Sequence, residues 1–393
     1  MVSRGPGRFA DLRDDTTALL RDRLADEPAD LPPGAGPLWV GGMAFSDQAA
    51  PDGVWASLPP ALLTMPELLI ARSGGRHLLT VCALAGPGRD PAAVREQVAA
   101  RLAGLRSRPL PPLDPSPGTP AQVSSARPPA SYEQAVADAV ETIRSGRVQK
   151  LVLAREVRVT TPAAHSAASL FGALREAFGS CFCFCVGTPE AAFVGASPEL
   201  LVRRSGAVAA TVALAGSARR SADPAVDDHL GEQLLHSDKD RSEHAIVAER
   251  IERRLGPVSV WVERAAEPVV IRVANIQHLA TPVHAQLADS RSVLELAELL
   301  HPTPAVGPEP RGPENERLIA ELERLDRGWY AGPVGWMDAV EDGEFCVALR
   351  SALLRDRTAH LYAGAGIVAD SDPASELAET EIKLGALLPL LAG

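Results

Sequence analysis

The sequence predicts an α+β fold in which mainly antiparallel sheets are flanked by helices. The predicted strands come in hairpin-like runs between helices, whereas a doubly wound sheet would need strict βαβ units. Of the 393 residues, 46% are hydrophobic, which is enough for one large core or two ordinary ones. Because only 4% of the residues are aromatic, Leu, Val and Ala must fill the interior.

The predicted elements follow from apolar periodicity and turn residues. On the helix predicted at 131–145, for example, Val136, Ala139, Val140 and Ile143 share one face. Helices are predicted at 16–24, 91–105, 131–145, 169–177, 225–255, 292–300, 314–325 and 373–391, and strands at 38–42, 77–82, 148–159, 181–186, 192–195, 200–204, 207–214, 258–263, 269–275, 335–339, 344–350 and 359–365.

A proline-rich stretch divides the chain. Eight prolines fall within the 21 residues 109–129, and this composition excludes helix and central strand, so we expect a surface connection there. No internal repeat is found in the sequence.

The charge balance excludes several classes of partner. Thirty-nine Lys and Arg residues against 50 Asp and Glu residues give a net charge of −11, which argues against nucleic acid or an anionic membrane surface as the main partner. No apolar run approaches the roughly 18 residues of a membrane span, and the first residues lack the apolar segment of a signal peptide. We therefore expect a soluble cytoplasmic protein.

The five cysteines predict neither a metal site nor a disulfide framework. Cys181, Cys183 and Cys185 alternate along one strand, so their thiols share one face, and we interpret this run as a buried core strand. It lacks the Cys-x-x-Cys spacing of a metal site.

Lysine is rare in this chain. Lys150, Lys239 and Lys383 are its only lysines, so the other 36 of the 39 basic residues are arginine. An arginine cannot release a proton near neutral pH, whereas a lysine can. The few lysines are therefore candidates for proton transfer. The alternative for any one of them is retention by chance.

Two pairs of acidic residues indicate a possible cation site. Asp240 and Glu243 lie three apart on one predicted helix, and Glu376 and Glu379 repeat this spacing on another, with Lys383 four residues further on. Ligands that are all oxygens favour Mg²⁺ over Zn²⁺. The alternative is two solvated helix faces, with Glu379 and Lys383 an ordinary ion pair.

Other candidates follow predicted strands. In the Gly195–Glu199 turn, Ser197 is expected to cap a helix that places Glu199 on its first turn, where an apolar pocket would make it a general acid. Glycine turns at 214–220 and 363–367 can aim backbone N–H groups at an anion. Arg350 can clamp a carboxylate. His278 is explained equally well as a structural or a catalytic histidine.

Together these motifs resemble the chorismate-utilising enzymes, a family that includes anthranilate, aminodeoxychorismate, salicylate and isochorismate synthases. The resemblance covers about residues 130–393 as the chorismate-binding catalytic region of one large α+β fold. Residues 1–125 are interpreted as its variable N-terminal portion. The matching segments are 148–155, 195–199, 214–220, 238–244, 278–281, 301–305, 330–335 and 364–383.

The resemblance implies the roles of the site residues. Glu243 and Glu379 would ligate Mg²⁺, and Asp240 and Glu376 would hold its waters. Lys150 and Glu199 would be the catalytic base and acid. The residues expected to bind the substrate chorismate, mainly through its carboxylates, are Gly216, Ser217, His278, Ala305, Tyr330, Arg350, Gly364, Gly366 and Lys383.

Within this family the residues favour isochorismate synthase, an isomerase. Members that use ammonia usually have another residue where Lys150 stands, and aminodeoxychorismate enzymes have a lysine where Ala215 stands. Water is therefore the expected nucleophile, attacking C2 while the C4 hydroxyl leaves, and no glutamine amidotransferase subunit is expected. The apolar Ala305 favours isochorismate over salicylate as product. Salicylate synthase and an aminating synthase of the anthranilate type remain alternatives.

Two properties stay open at this stage. The chain is expected to be a monomer or a homodimer. Its product would serve siderophore, menaquinone or another secondary metabolism.

Overall fold

A computed structural model describes residues 1–392 except 22, 29, 48–52, 74, 87, 107–108, 110, 113–119 and 274–275. The described residues form a mixed fold of helices and antiparallel sheets, as predicted. The helices are α1 (Arg8–Leu20), α2 (Pro91–Ala103), α3 (Pro129–Arg144), α4 (Ala167–Ala177), α5 (Pro224–His236), α6 (Asp238–Leu255), α7 (Val293–Leu300), α8 (Pro313–Glu323), α9 (Pro373–Leu384) and α10 (Leu388–Ala392).

The strands fall into two large sheets and a hairpin. They are β1 (Val2–Ser3), β2 (Leu38–Met43), β3 (Ala61–Thr64), β4 (Leu68–Ser73), β5 (Arg76–Val81), β6 (Gln122–Ser125), β7 (Leu151–Thr160), β8 (Phe182–Gly187), β9 (Ala192–Ser197), β10 (Leu200–Ser205), β11 (Val208–Arg219), β12 (Ser259–Arg264), β13 (Val269–Arg272), β14 (Ile276–Leu287), β15 (Pro333–Asp338), β16 (Gly343–Val347), β17 (Ser351–Arg355) and β18 (Thr358–Ile367).

The ten-stranded sheet runs in the order β1-β3-β2-β15-β16-β10-β11-β14-β12, with β13 also paired to β14. The six-stranded sheet runs in the order β6-β7-β18-β17-β9-β8, and β4 and β5 form the separate hairpin. Because β2 pairs with β15, strands from the N-terminal portion extend the same sheet as strands from the C-terminal portion.

The main core joins the two large sheets. Its largest apolar cluster includes Phe193, Leu353 and Tyr362 from the six-stranded sheet, together with Val202 and Phe345 from the ten-stranded sheet. Helix α6 packs on β11, and helix α9 packs on β18. The two helices that carry the acidic pairs therefore each lie on a different sheet.

The single helix predicted at 225–255 is wrong, because Ser237 divides it. Ser237 has an extended backbone (φ −72°, ψ 113°), which ends α5, and its hydroxyl then accepts a hydrogen bond from the backbone N–H of Asp240 at 3.3 Å. This side-chain cap starts α6. It also places Asp240 in the first turn of the new helix.

The prediction of a helix after Ser197 is also wrong. Residues 198–199 connect β9 directly to β10, and the hydroxyl of Ser197 donates to the carbonyl of Val347. A Ser-Pro-Glu sequence is typical of a helix start, but here the neighbouring strand supplies the partner for the serine.

The two predicted glycine turns lie inside strands. Gly216 forms a bulge in β11, where its φ of +74° favours glycine, and Gly364 and Gly366 lie in β18. These glycines allow close approach of neighbouring groups instead of turning the chain.

The cysteine strand is not buried in the core. It corresponds to β8 at the edge of the six-stranded sheet, where Cys183 is half-buried and Cys185 is exposed, and Cys181, just before the strand, is also half-buried. The alternation predicted a strand correctly, but sheet order decides its burial, and periodicity does not report sheet order.

Several predicted boundaries shift. The strand at 344–350 ends at Val347, and Arg350, with φ +47°, precedes the separate strand β17. The single helix predicted at 373–391 is divided into α9, which ends at Leu384, and α10, and the predicted helix 16–24 is found as α1, which starts eight residues earlier. The end of the strand predicted at 269–275 and much of the proline-rich connection lie outside the described residues. The last part of that connection forms the edge strand β6.

No helix among the described residues is both long and apolar enough to cross a membrane.

Candidate active site

The predicted site residues converge at one cavity between the two sheets. Its walls come from β7, β11, β14 and β18, helices α6 and α9, and the segments that follow β9, α7, α8 and β16. The predicted residues that line it are Glu199, Gly216, Ser217, Glu243, His278, Ala305, Tyr330, Arg350, Gly364, Gly366, Glu379 and Lys383. Three further predicted residues, Lys150, Asp240 and Glu376, are not part of this lining; Lys150 adjoins Gly366 and Asp240 adjoins Gly216.

Lys150 is completely buried next to the cavity. It precedes β7, and its backbone pairs with Glu309, whose N–H donates to the Lys150 carbonyl at 2.9 Å. Its Nζ lies 2.9 Å from Oε1 of Glu243. This contact has the distance of an ion pair but not hydrogen-bond geometry, and Nζ has no hydrogen-bond acceptor among the described residues. Lys150 is therefore placed next to the carboxylate of Glu243 without a hydrogen bond to it.

Gly366 provides the space for this pair. A Cβ atom at this position would overlap Oε1 of Glu243 and lie 3.0 Å from Cε of Lys150. The site therefore requires glycine at position 366, because a side chain there would collide with Glu243 and Lys150.

We expect Gly366→Ala to lower kcat by about tenfold or more, because small displacements of reacting groups are costly. The added methyl group must displace either Glu243 or Lys150. The measurement is steady-state turnover of chorismate, the substrate that the sequence resemblance implies, with Gly256→Ala as control, because a Cβ there meets nothing within 4 Å. Equal activities of the two variants would contradict a need for this close packing.

Glu199 is a buried carboxyl group with a perturbed acidity. Its backbone N–H donates to the hydroxyl of Ser197 at 3.2 Å, and its carbonyl accepts from the N–H of Val347 at 3.0 Å. Burial raises the pKa of Glu199 to about 8, and this outweighs the opposing charges of Lys150 and Lys383. The group is therefore protonated at neutral pH, as a proton donor must be.

His278 and Arg350 form a buried pair at the cavity wall. A guanidinium nitrogen of Arg350 lies 2.9 Å from Nε2 of His278, and Nδ1 of that ring lies 3.3 Å from the carbonyl of Gly216. Because arginine only donates, Nε2 accepts and Nδ1 carries the proton. Burial, with Arg350 adding to it, holds the pKa of His278 well below its usual value. Burial also lowers the pKa of Arg350 to about 10. The neutral imidazole therefore orients the arginine.

Lys383 links α9 to β18. Its Nζ donates to the carbonyl of Gly364 at 2.8 Å and lies 2.7 Å from Oε1 of Glu379. Ser217 donates to the same carboxylate oxygen at 3.0 Å. Burial favours the protonated form of Glu379, but Lys383 and Ser217 outweigh it and leave the pKa of Glu379 below its usual value.

Lys239, the third lysine, also pairs with a predicted metal ligand. Its Nζ lies 2.7 Å from Oε1 of Glu376, a residue that is only 1% exposed. Each lysine of the chain thus contacts one carboxylate of the predicted cation site.

The chain matches the family of chorismate binding enzymes over residues 1–392. It belongs to the chorismate-binding enzyme family. It is 37% identical, over all of its length and 81% of the relative, to the salicylate biosynthesis isochorismate synthase of Pseudomonas aeruginosa. It is 33% identical, over 91% of its length and 75% of the relative, to the isochorismate synthase MenF of Bacillus subtilis. The structure of MenF, the menaquinone-specific isochorismate synthase from Escherichia coli, superimposes with a TM-score of 0.79 at 31% identity, covering 90% of this chain and 78% of that one.

The acidic residues of this chorismate-binding enzyme have the donor chemistry of a Mg²⁺ site. Burial raises the pKa of Asp240, and the nearby charges of Glu243 on α6 and Glu379 on α9 add to this rise. Asp240 also shares a short hydrogen bond with Ser237. Among the described residues, no group of three or more His, Cys, Asp or Glu side chains is arranged so that it could hold a metal ion. The oxygens fit the ion chemically, while lysines compensate most of their charge.

Two residues that sequence reasoning missed fix the inner wall of the cavity. Arg327 forms a buried ion pair with Glu323 and donates to the carbonyls of Val152 and Val306, each at 2.8 Å. Glu323 also accepts from the N–H of Ala154. The four-residue spacing of Glu323 and Arg327 was the only signal in the sequence, and it is common on exposed helices.

Tyr330 and Ala305 complete the lining. The ring of Tyr330 stacks on Tyr362 with centroids 5.3 Å apart, and burial raises the pKa of Tyr330 above its usual value. The phenol therefore stays protonated and can donate a hydrogen bond. Ala305 keeps its part of the wall apolar.

Proposed function

We propose that this chain is an isochorismate synthase, an isomerase that converts chorismate into isochorismate by adding water at C2 and releasing the C4 hydroxyl. One observation carries the proposal: Glu199, a buried carboxyl group whose pKa is raised to about 8, lines the cavity, and the fully buried Lys150 lies within electrostatic range of it. The relatives with isochorismate synthase activity in their names support the same assignment.

The proposed reaction needs one base and one acid. Lys150 takes a proton from a water molecule, whose oxygen bonds to C2 while the ring double bonds shift. The bond from C4 to its oxygen breaks, and Glu199 protonates the departing hydroxyl, which leaves as water. One water enters and one leaves, so the reaction has no redox change.

Local cations explain how a protein of net charge −11 binds a dianionic substrate. Arg350 and Lys383 line the cavity and can take the substrate carboxylates, with the phenol of Tyr330 as a further donor. The apolar Ala305 gives no polar group for the pyruvyl elimination that yields salicylate.

The proposal includes Mg²⁺, held by Glu243 and Glu379, with Asp240 and Glu376 binding its waters. When bound, the ion neutralises carboxylate charge and orients the substrate ring. The carboxylate of Glu243 contacts Lys150, so the proposed metal ligand is also the ion-pair partner of the proposed base.

We expect excess chelator to abolish turnover, and Glu243→Gln or Glu379→Gln to raise strongly the Mg²⁺ concentration needed for half-maximal activity. Each variant removes one negatively charged ligand. Glu249→Gln, an exposed position of α6, is the control and is expected to keep the wild-type Mg²⁺ dependence. Full activity in chelator would exclude the metal.

Water as nucleophile implies that the enzyme works without a glutamine amidotransferase subunit. We therefore expect turnover of the purified chain alone, with neither glutamine nor ammonium salts stimulating it.

Product analysis tests the proposed function. Purified protein is incubated with chorismate and Mg²⁺, the product is identified by NMR, and pyruvate is followed with lactate dehydrogenase and NADH. Isochorismate without stoichiometric pyruvate is expected. Pyruvate released in step with chorismate loss would instead indicate salicylate synthase, and an amino product formed only with ammonia would indicate an aminating enzyme.

A further inference from the structure

A second cavity of about 680 Å³ lies on the other side of Arg327 from the active site. It is bounded by the start of α1, the segment after β2, the end of α7 and the first turns of α8. Its volume falls in the range of small-molecule sites in proteins. The proposed reaction uses none of the groups described below.

Two buried polar atoms in its wall have no partner among the described residues. His301 and Arg8 are 2% and 7% exposed. Nε2 of His301 lies 3.0 Å from the carbonyl of Phe45 and must donate to it, so Nδ1 is left as an acceptor without a donor. A terminal nitrogen of Arg8 donates to the carbonyl of Ala44, but its Nε has no acceptor in the described part of the chain. Buried polar groups normally have partners, so a donor and an acceptor await a ligand here.

Arg8 is a buried cation in surroundings of mixed charge. Arg8 has no ion pair among the described residues, although Asp47, Glu298 and Glu316 lie within electrostatic range. Glu316 is compensated by Arg311, whose Nε lies 3.6 Å from its Oε1.

Three arginines lie within electrostatic range of His301. Arg8, Arg311 and Arg327 all act on its ring, and together with burial they lower the pKa of His301 to about 3. The ring is therefore neutral at any physiological pH, and its free nitrogen can only accept.

Aromatic rings form the apolar part of the cavity. Phe45 packs edge-on against His301 with ring centroids 5.7 Å apart, and Phe9 lies 6.5 Å from the same ring. Both line the cavity. A flat apolar ligand could therefore contact these rings while its polar groups reach Arg8 and His301.

The wall that separates the two cavities is rigid. Arg327 lines both and is fixed by its ion pair with Glu323, by two backbone carbonyls, and by the ring of Phe45, 4.2 Å from its guanidinium carbon. Arg327 is therefore a fixed wall residue that the two cavities share.

We propose that this cavity is a binding site for a small aromatic hydroxy acid, whose carboxylate pairs with Arg8 and whose hydroxyl donates to His301. The proposal does not depend on which reaction the active site performs.

Calorimetric titration of the full chain with 3-hydroxybenzoate and with benzoate tests the proposal. Saturable binding of 3-hydroxybenzoate is expected, with benzoate at least several-fold weaker, because benzoate cannot donate to His301. Absence of saturable binding would overturn the site. Equal affinity for the two probes would overturn the role of His301.

Three variants locate the bound probe. Arg8→Gln is expected to weaken binding about tenfold or more, the usual loss for a charge-assisted hydrogen bond. Arg13→Gln, on the same helix but outside the cavity wall, is the matched control and should bind normally. Ala320→Trp blocks the cavity from an exposed position of α8 and keeps the test valid if Arg8→Gln does not fold. Wild-type affinity in both Arg8→Gln and Ala320→Trp would place the probe elsewhere and overturn the proposal.

Discussion

Glu199→Gln is expected to lower kcat by about 10²–10⁴-fold, the usual contribution of a general acid. The amide cannot protonate the departing hydroxyl, yet it keeps the shape of the side chain. The measurement is the initial rate of chorismate loss at saturating substrate. Glu190→Gln, an exposed carboxyl group just before β9, is the control and should keep wild-type activity.

The pH dependence of the wild-type enzyme checks the same role. The pKa of Glu199 is raised to about 8, so the acid is protonated below that pH and loses its proton above it. We therefore expect kcat/KM to fall as pH rises through about 8, because kcat/KM reports the free enzyme. Near-native turnover by Glu199→Gln would show that another group protonates the hydroxyl.

Lys150→Arg is expected to lower kcat by about 10²-fold or more, because arginine keeps the positive charge but cannot take part in proton transfer near neutral pH. Lys150→Gln should fail for the same reason. Both variants should still bind chorismate, since binding is assigned to other residues. Binding is measured by calorimetry and turnover by initial rates.

The reciprocal exchange Arg158→Lys on β7 is the matched control, because that side chain points to solvent and pairs with Glu156. It should have little effect. If Lys150→Arg retained near-native kcat, Lys150 would be a charge clamp, and the proposed role as base would be wrong.

Most of the site was visible in the sequence because its residues belong to local motifs. The excess of arginine marked three lysines, and the structure places all of them against acidic residues of α6 and α9. The fold class followed from the order of hairpins and helices. These features depend on spacing along the chain, which a sequence displays directly.

Other features depend on contacts between distant segments. Ser197 could not be recognised as a strand connector, because its partner, the carbonyl of Val347, lies 150 residues away. The buried pair of Glu323 and Arg327 has the same spacing as an exposed ion pair, and only the three-dimensional packing distinguishes the two. The break at Ser237 was missed because helical periodicity continues on both sides of it.

The glycines illustrate a third reason. Gly366 was predicted as a turn that offers its amide to an anion, and the amide role stays a prediction. The structure shows a different requirement, since Glu243 and Lys150 occupy the space of a side chain at this position. A sequence does not distinguish a glycine needed for its conformation from one needed for its small size.

Turnover in H₂¹⁸O tests the central claim most directly, namely that Lys150 and Glu199 exchange a water for the C4 hydroxyl. Isochorismate formed by the wild-type chain with Mg²⁺ is analysed by mass spectrometry and NMR. The account predicts one ¹⁸O atom per product molecule, located on C2. Unlabelled isochorismate, with the original hydroxyl moved from C4 to C2, would contradict it.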